Sequence, residues 1–96
     1  MKKDQNHIIH AAALLKSIGH PIRVQIIIAL SQAASMTVNS LSEKLNIDQP
    51  VMSLHLGILR KQSFIKVKRN GKNSEYSVAN TSVKQIINIA YHSYNQ

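Results

Sequence analysis

Two stretches with helical apolar spacing are separated by only Asn46, Ile47 and Asp48. So short a connection holds two helices against each other at a corner, and no other feature constrains the fold as much. Before it, Thr37 is placed to cap a helix whose inward positions are Leu41 and Leu45. Asn46 tolerates the left-handed backbone that ends such a helix, and Asp48 suits the cap of the next. A short helix, a tight turn and a second helix over residues 49–61 are the parts of a helix-turn-helix.

At 100° per residue, Met52, Leu56 and Leu59 form the packed stripe of the second of these helices, with His55 on its flank. Opposite lie Pro50, Ser53, Leu54, Gly57 and Lys61, with Gln49 and Arg60 at the border. That face is small and mixed in polarity at its start and turns cationic only at its end. A helix entering the major groove of DNA needs amide or small residues near its start to meet base edges, and basic residues at its periphery to meet phosphates. Gln49 can pair with adenine through two hydrogen bonds, Ser53 can donate or accept, and Leu54 or Val51 can pack on a thymine methyl. The competing reading is an ordinary solvated face carrying one exposed leucine.

Residues 64–78, FIKVKRNGKNSEYSV, form two alternating runs around Asn70-Gly71, a strong signal for a two-residue type I′ hairpin. That turn predicts pairing of Arg69 with Lys72, Lys66 with Glu75 and Ile65 with Tyr76. Lys68, Arg69 and Lys72 then project at the tip, too exposed for a core role. A helix-turn-helix followed by a basic hairpin is a winged helix: helix 49–61 in the major groove, wing 66–73 on the flanking backbone or minor groove.

The remaining segments are helical. Residues 7–17 read as an amphipathic helix through Ile8, Ala11, Ala12, Leu15 and Ile18, ended by Gly19. His20 and Pro21 open another, and PIRVQIIIAL is apolar nearly all round, which places it at the centre of the domain. A last helix over 81–94 carries Val83, Ile86, Ile87, Ala90 and Tyr94 on one stripe. The expected fold is mainly α with a small β-hairpin, five helices with the two strands between the fourth and fifth, in a single domain over 1–96. At 96 residues there is little room to bury both terminal stripes internally. Homodimerisation through Ile8, Ala12 and Leu15 of the first helix and Val83, Ile86, Ile87, Ala90 and Tyr94 of the last would cover them, and would space two reading heads by one DNA turn, roughly 34 Å.

Charge and residue usage narrow the function. Twelve Lys and Arg against four Asp and Glu give +8, so a polyanion is the natural partner. Six of the basic residues lie between Arg60 and Lys72 with no acid among them, which locates the anion-binding side. The absence of cysteine excludes disulfides, thiolate metal sites and thiol redox sensing. No apolar run approaches the length of a membrane span or a signal-peptide core, so a cytoplasmic protein without a membrane partner is expected. Asp4, Glu43, Asp48 and Glu75 fall in separate elements and no phosphate-binding glycine loop exists, so neither enzyme chemistry nor a cofactor is expected. Aromatic residues, at 4%, leave no stacking platform for single-stranded RNA.

The run SIGHPIRVQIIIAL, with Pro21 and Arg23, resembles the second-helix signature of the ArsR/SmtB family of small bacterial winged-helix repressors. QPVMSLHLGILRKQSFIKVKRNGKNSEYSV resembles that family's recognition helix and wing through Gln49, Ser53, His55, Leu56, Leu59, Gly71 and Tyr76; the likeness runs from about residue 14 to 79. It implies a homodimer that binds a two-fold symmetric operator in double-stranded DNA and blocks transcription, usually released by an effector. By position it implies Gln49, Pro50, Ser53 and Leu54 as base readers and Arg69 and Lys72 as wing contacts. Leu54 departs from the polar residue often found there, and Gln62-Ser63 replaces the usual Ala-Gly before the wing. Where metal sensors of the family carry Cys-Val-Cys, this chain has Thr37-Val38-Asn39. The alternative is a metal- or ligand-responsive sensor on the same scaffold using His7, His10 and His92 of the terminal helices; no metal ligand set is assigned.

Overall fold

The computed structural model describes residues 2–94. Helix α1 spans Lys2–Ile18, α2 Pro21–Gln32, α3 Val38–Leu45, α4 Gln49–Lys61 and α5 Thr81–Ser93. Strands β1 (Met36–Thr37), β2 (Ile65–Asn70) and β3 (Asn73–Val78) form an antiparallel sheet in the order β1-β3-β2. The winged helix-turn-helix expected from the sequence is the observed fold, with a third strand added.

Helix α2 is central because its apolar surface faces several ways. Ile26, Ile27, Ala29 and Leu30 are buried, Ile22, Val24 and Ile28 pack half-buried against the core, and α2 touches α3, α4, α5 and β3. His20 opens it: the Ile22 amide donates to His20 Nδ1 at 3.0 Å, and Pro21 occupies a first-turn position where no amide bond is lost. Leu41 from α3, Met52, Leu56 and Leu59 from α4, Phe64 and Ile65 before and in β2, and Val83 and Ile87 from α5 complete the core.

Both helices of the helix-turn-helix end in the same way. Asn46 is left-handed (φ 55°, ψ 50°), its amide donates to Glu43 O at 3.4 Å and that of Ile47 to Ser42 O at 3.0 Å. At the end of α4, Ser63 is left-handed (φ 63°), its amide donates to Arg60 O at 2.9 Å and that of Phe64 to Leu59 O at 3.0 Å. Each pair of bonds is a Schellman closure, which satisfies orphan carbonyls and redirects the chain. Thr37 caps α3 as expected, accepting from the Ser40 amide at 3.1 Å. Asp48 stands at the start of α4, but its side chain makes no capping bond.

The hairpin register differs from the expected one. Ile65 faces Val78, Val67 faces Tyr76, Lys68 faces Glu75 and Asn70 faces Asn73, so Gly71-Lys72 and not Asn70-Gly71 form the turn. Gly71 has φ +65° while Lys72 is not among the positive-φ residues, the pattern of a turn with glycine at its first central position. This register pairs apolar side chains twice, Ile65 with Val78 and Val67 with Tyr76. It also leaves Asn70 free to donate through Nδ2 to Glu75 Oε2 at 2.7 Å, while Ser35 Oγ donates to Glu75 Oε1 at 2.9 Å. Strand β1, which the sequence pattern does not single out, pairs Met36 with Tyr76 and Thr37, also the cap of α3, with Glu75. Two residues are too few to display an alternating pattern.

Candidate nucleic-acid interface

The two faces of α4 separate sharply. Met52, His55, Leu56 and Leu59 are buried, whereas Gln49, Pro50, Val51, Ser53, Leu54, Gly57, Arg60 and Lys61 are exposed. Leu54 is 62% exposed, although leucine normally seeks cover. A Cβ built on Gly57 meets nothing within 4 Å, so internal packing does not require a glycine there.

On the wing, Lys66, Lys68, Arg69, Asn70, Gly71, Lys72 and Asn73 are all exposed. Glu75 is the acid in this segment; its bond from Ser35 braces the wing to the α2–β1 connection, and its bond from Asn70 ties it to the facing strand. The bonds from Asn70 and then Ser35 hold its carboxyl below the usual 4.5, with the Lys68 charge adding to the effect.

One partner in this region escaped the sequence reading. Asn39, exposed on α3, accepts a hydrogen bond through Oδ1 from Gln49 Nε2, tying the first side chain of α4 to the preceding helix. The only sequence signal was the polarity of Asn39 at a helix-turn-helix face. His55, read as flanking, is buried: its Nδ1 lies 3.1 Å from Arg23 Nη1, and its ring centroid is 4.5 Å from that of His20. Burial first, then the charges of His20 and Arg23, push its pKa below 6.5.

The terminal helices divide differently from the expected stripe. Val83 and Ile87 are 0% and 4% exposed within the single chain, so they belong to its own core and are withdrawn from the expected contact between copies. Because α5 packs on α2 with one side, only its outer side stays open. Ile8, Ala12, Leu15, Ala90 and Tyr94 are exposed and Ile86 is half-buried, and Ile9, Ile89 and Tyr91 add exposed apolar surface that the periodicity did not single out. An apolar notch of about 310 Å³ lies between α1, α2 and α5, lined by Leu15, Ile18, Val24, Ile86, Ala90 and Tyr91 among others. The histidines of the sensor alternative do not converge: among the described residues no group of three or more His, Cys, Asp or Glu is placed to hold a metal ion. His92 instead bonds through Nδ1 to Asn88 O at 2.8 Å.

Residues 20–67, half of the chain and running from α2 into the start of β2, match the family of bacterial regulatory proteins described as the arsR family. The chain belongs to the ArsR family. A biofilm growth-associated repressor of Xylella fastidiosa is 31% identical to it over 91 residues, 95% of this chain and 76% of that protein. The transcriptional activator HlyU of Vibrio cholerae is 29% identical over 86 residues, 90% of this chain and 79% of HlyU. Reduced HlyU superimposes with a TM-score of 0.87 over 100% of both chains, at 26% identity. The transcriptional repressor BigR of Xylella fastidiosa superimposes at 0.83, covering 98% of this chain and 96% of BigR, at 27% identity. As an ArsR-family protein the chain is a transcriptional regulator with a winged helix DNA-binding fold, not an enzyme. The departure of this ArsR member at Gln62-Ser63 has a visible consequence, since Ser63 takes the left-handed conformation that a glycine would adopt without strain.

Proposed function

We propose that this ArsR protein is a homodimeric repressor that binds a two-fold symmetric operator in double-stranded DNA. The observation that carries this reading is the open first half of α4: Gln49, Pro50, Ser53 and Leu54 are exposed on a helix whose opposite face is buried. Gln49, Ser53 and Leu54 meet base edges in the major groove, with Pro50 holding the first turn close to them. Arg60 at the end of α4 and Lys68, Arg69 and Lys72 on the wing meet phosphates or the neighbouring minor groove. Asn39 orients the Gln49 amide through the bond they share.

The dimer reading rests on α1. From Asp4 to Ala13 every residue of that helix is exposed, including Ile8 and Ile9 at 66% each. A lone helix of this length is marginal in water unless an apolar face is covered. The exposed side of α5 offers the complementary surface through Ile89, Ala90, Tyr91 and Tyr94. Repression would follow from operator occupancy near a promoter; the Xylella fastidiosa relative is named a repressor, whereas HlyU is named an activator.

Selection of bound fragments from random DNA tests the reading: a consensus made of two inverted half-sites is expected. Gln49→Ala should then relax preference at particular bases, at roughly 1–3 kcal/mol per lost contact. Lys72→Ala should weaken all sequences alike and reduce the salt slope by about one. If Lys72→Ala changed base preference and Gln49→Ala did not, the assignment of helix and wing would be wrong.

A further inference from the structure

Arg23 forms a junction between three elements. Its Nε donates to Ser17 O in the last turn of α1, and its Nη1 lies 3.1 Å from His55 Nδ1 in the middle of α4. Arginine has no acceptor, so His55 Nδ1 accepts; the imidazole is neutral and carries its proton on Nε2. His20, which caps α2 through Nδ1, leans its ring on that of His55 at a 40° tilt. Among the described residues no carboxylate pairs with the Arg23 guanidinium. A planar fork of donors aimed at two neutral acceptors supplies direction more than ion-pair energy.

The position of this junction matters because α1 is otherwise loosely attached. It meets α2 at an 88° bend, is exposed over residues 4–13, and is held near its end by Leu14 and Ile18 against the core, by Ser17 through Arg23, and by a small contact with α4. On α4, His55 points inward from the same turn in which Ser53, Leu54 and Gly57 point outward. The Ser17–Arg23–His55 chain is thus a polar link from the end of the helix that would pair with a second copy to the helix that would enter DNA.

We propose that Arg23 is a positioning residue that, acting through His55, locks the angle between α1 and the recognition helix and thereby sets the half-site spacing the dimer accepts. This rests on the dimeric DNA-binding reading above. Two rigid reading heads fit half-sites about 10 base pairs apart and tolerate little deviation, whereas heads that swivel on α1 accept neighbouring spacings.

The test measures binding of the full-length protein to the selected operator and to versions with one base pair added or removed between half-sites. The wild type should prefer its own spacing by at least about tenfold. Arg23→Lys keeps the charge without the fork and His55→Leu removes the acceptor; each should reduce that preference to roughly threefold or less while keeping base preference within a half-site. His55→Gln, which still offers an acceptor to Arg23, should retain the spacing preference. Helicity and dimer mass are measured alongside, and either disruptive variant suffices if the other does not fold. Equal weakening at all spacings, or no change, would overturn the proposal and leave Arg23 as a stabiliser of the fold. Absence of any two-fold consensus with the wild type would instead remove the DNA-binding dimer reading, and this proposal with it.

Discussion

Gly57 occupies the open face of α4, and no atom beyond its chain neighbours and its own helix backbone lies within 4 Å of where a Cβ would stand. Glycine inside a helix costs about 0.5–1 kcal/mol relative to alanine, so Gly57→Ala should raise the unfolding free energy by about that amount. If the face lies against DNA, the same substitution should lower operator affinity. Denaturation and a binding titration check the pair, and unchanged affinity would argue against close approach at Gly57. His55 permits a pH prediction. Burial and the charges of His20 and Arg23 hold its folded pKa below 6.5, so below that pH the unfolded chain takes up the proton first. His55 therefore contributes stability above pH 6.5 that is lost as pH falls through its lower folded value. The unfolding free energy should be smaller at about pH 5.5 than at about pH 7.5, and His55→Gln should flatten the difference. Glu75 acts in a separate, more acidic window, because its carboxyl is held below 4.5 by Asn70 and Ser35.

At the scale of elements, the two Schellman closures shape the helix-turn-helix. The one after α3 uses Asn46, a residue at ease in left-handed backbone; the one after α4 places Ser63 at φ 63°. Left-handed backbone costs a residue with a Cβ about 1–2 kcal/mol, so Ser63→Gly should stabilise the domain by up to about 1 kcal/mol after the entropy of glycine is counted. Urea denaturation measures this, and a loss of stability would mean that the serine side chain contributes to the turn. The wing shows how register is chosen: a glycine-first turn wins over Asn70-Gly71 because it aligns Ile65 with Val78 and Val67 with Tyr76 and keeps Glu75 within reach of both Asn70 and Ser35. Turn preference is a local term, and the cross-strand pairs and the third strand outweigh it.

The molecule as a whole is extended for its size. Its radius of gyration is 14.2 Å, against about 12.5 Å for a compact chain of this length, and it measures 48 × 33 × 22 Å. The excess follows from α1, whose first turns reach past the core with Ile8 and Ile9 uncovered. Each large apolar side chain moved from water into an interface is worth about 1.5–3 kcal/mol. Ile8→Glu should therefore shift the protein toward monomer in sedimentation analysis and remove any dependence of its melting temperature on concentration. A variant that stays dimeric with unchanged concentration dependence would place the contact elsewhere.

Local chemistry decided much of this protein ahead of any packing. Helix ends at Thr37, Asn46 and Pro21 depend on backbone conformation and hydrogen bonds within a few residues, and the buried stripe Met52, Leu56, Leu59 follows from helical period alone. The exposed face of α4 was legible for the same reason, as the complement of that stripe. The tertiary structure decided what depends on distant partners. It added β1, whose two residues pair only with β3, and shifted the hairpin register. It turned Val83 and Ile87 into the core because α2 lies across α5, and joined His55 to Arg23, 32 residues away in sequence. Periodicity reports that a side chain seeks cover, but the neighbouring element determines which surface supplies it.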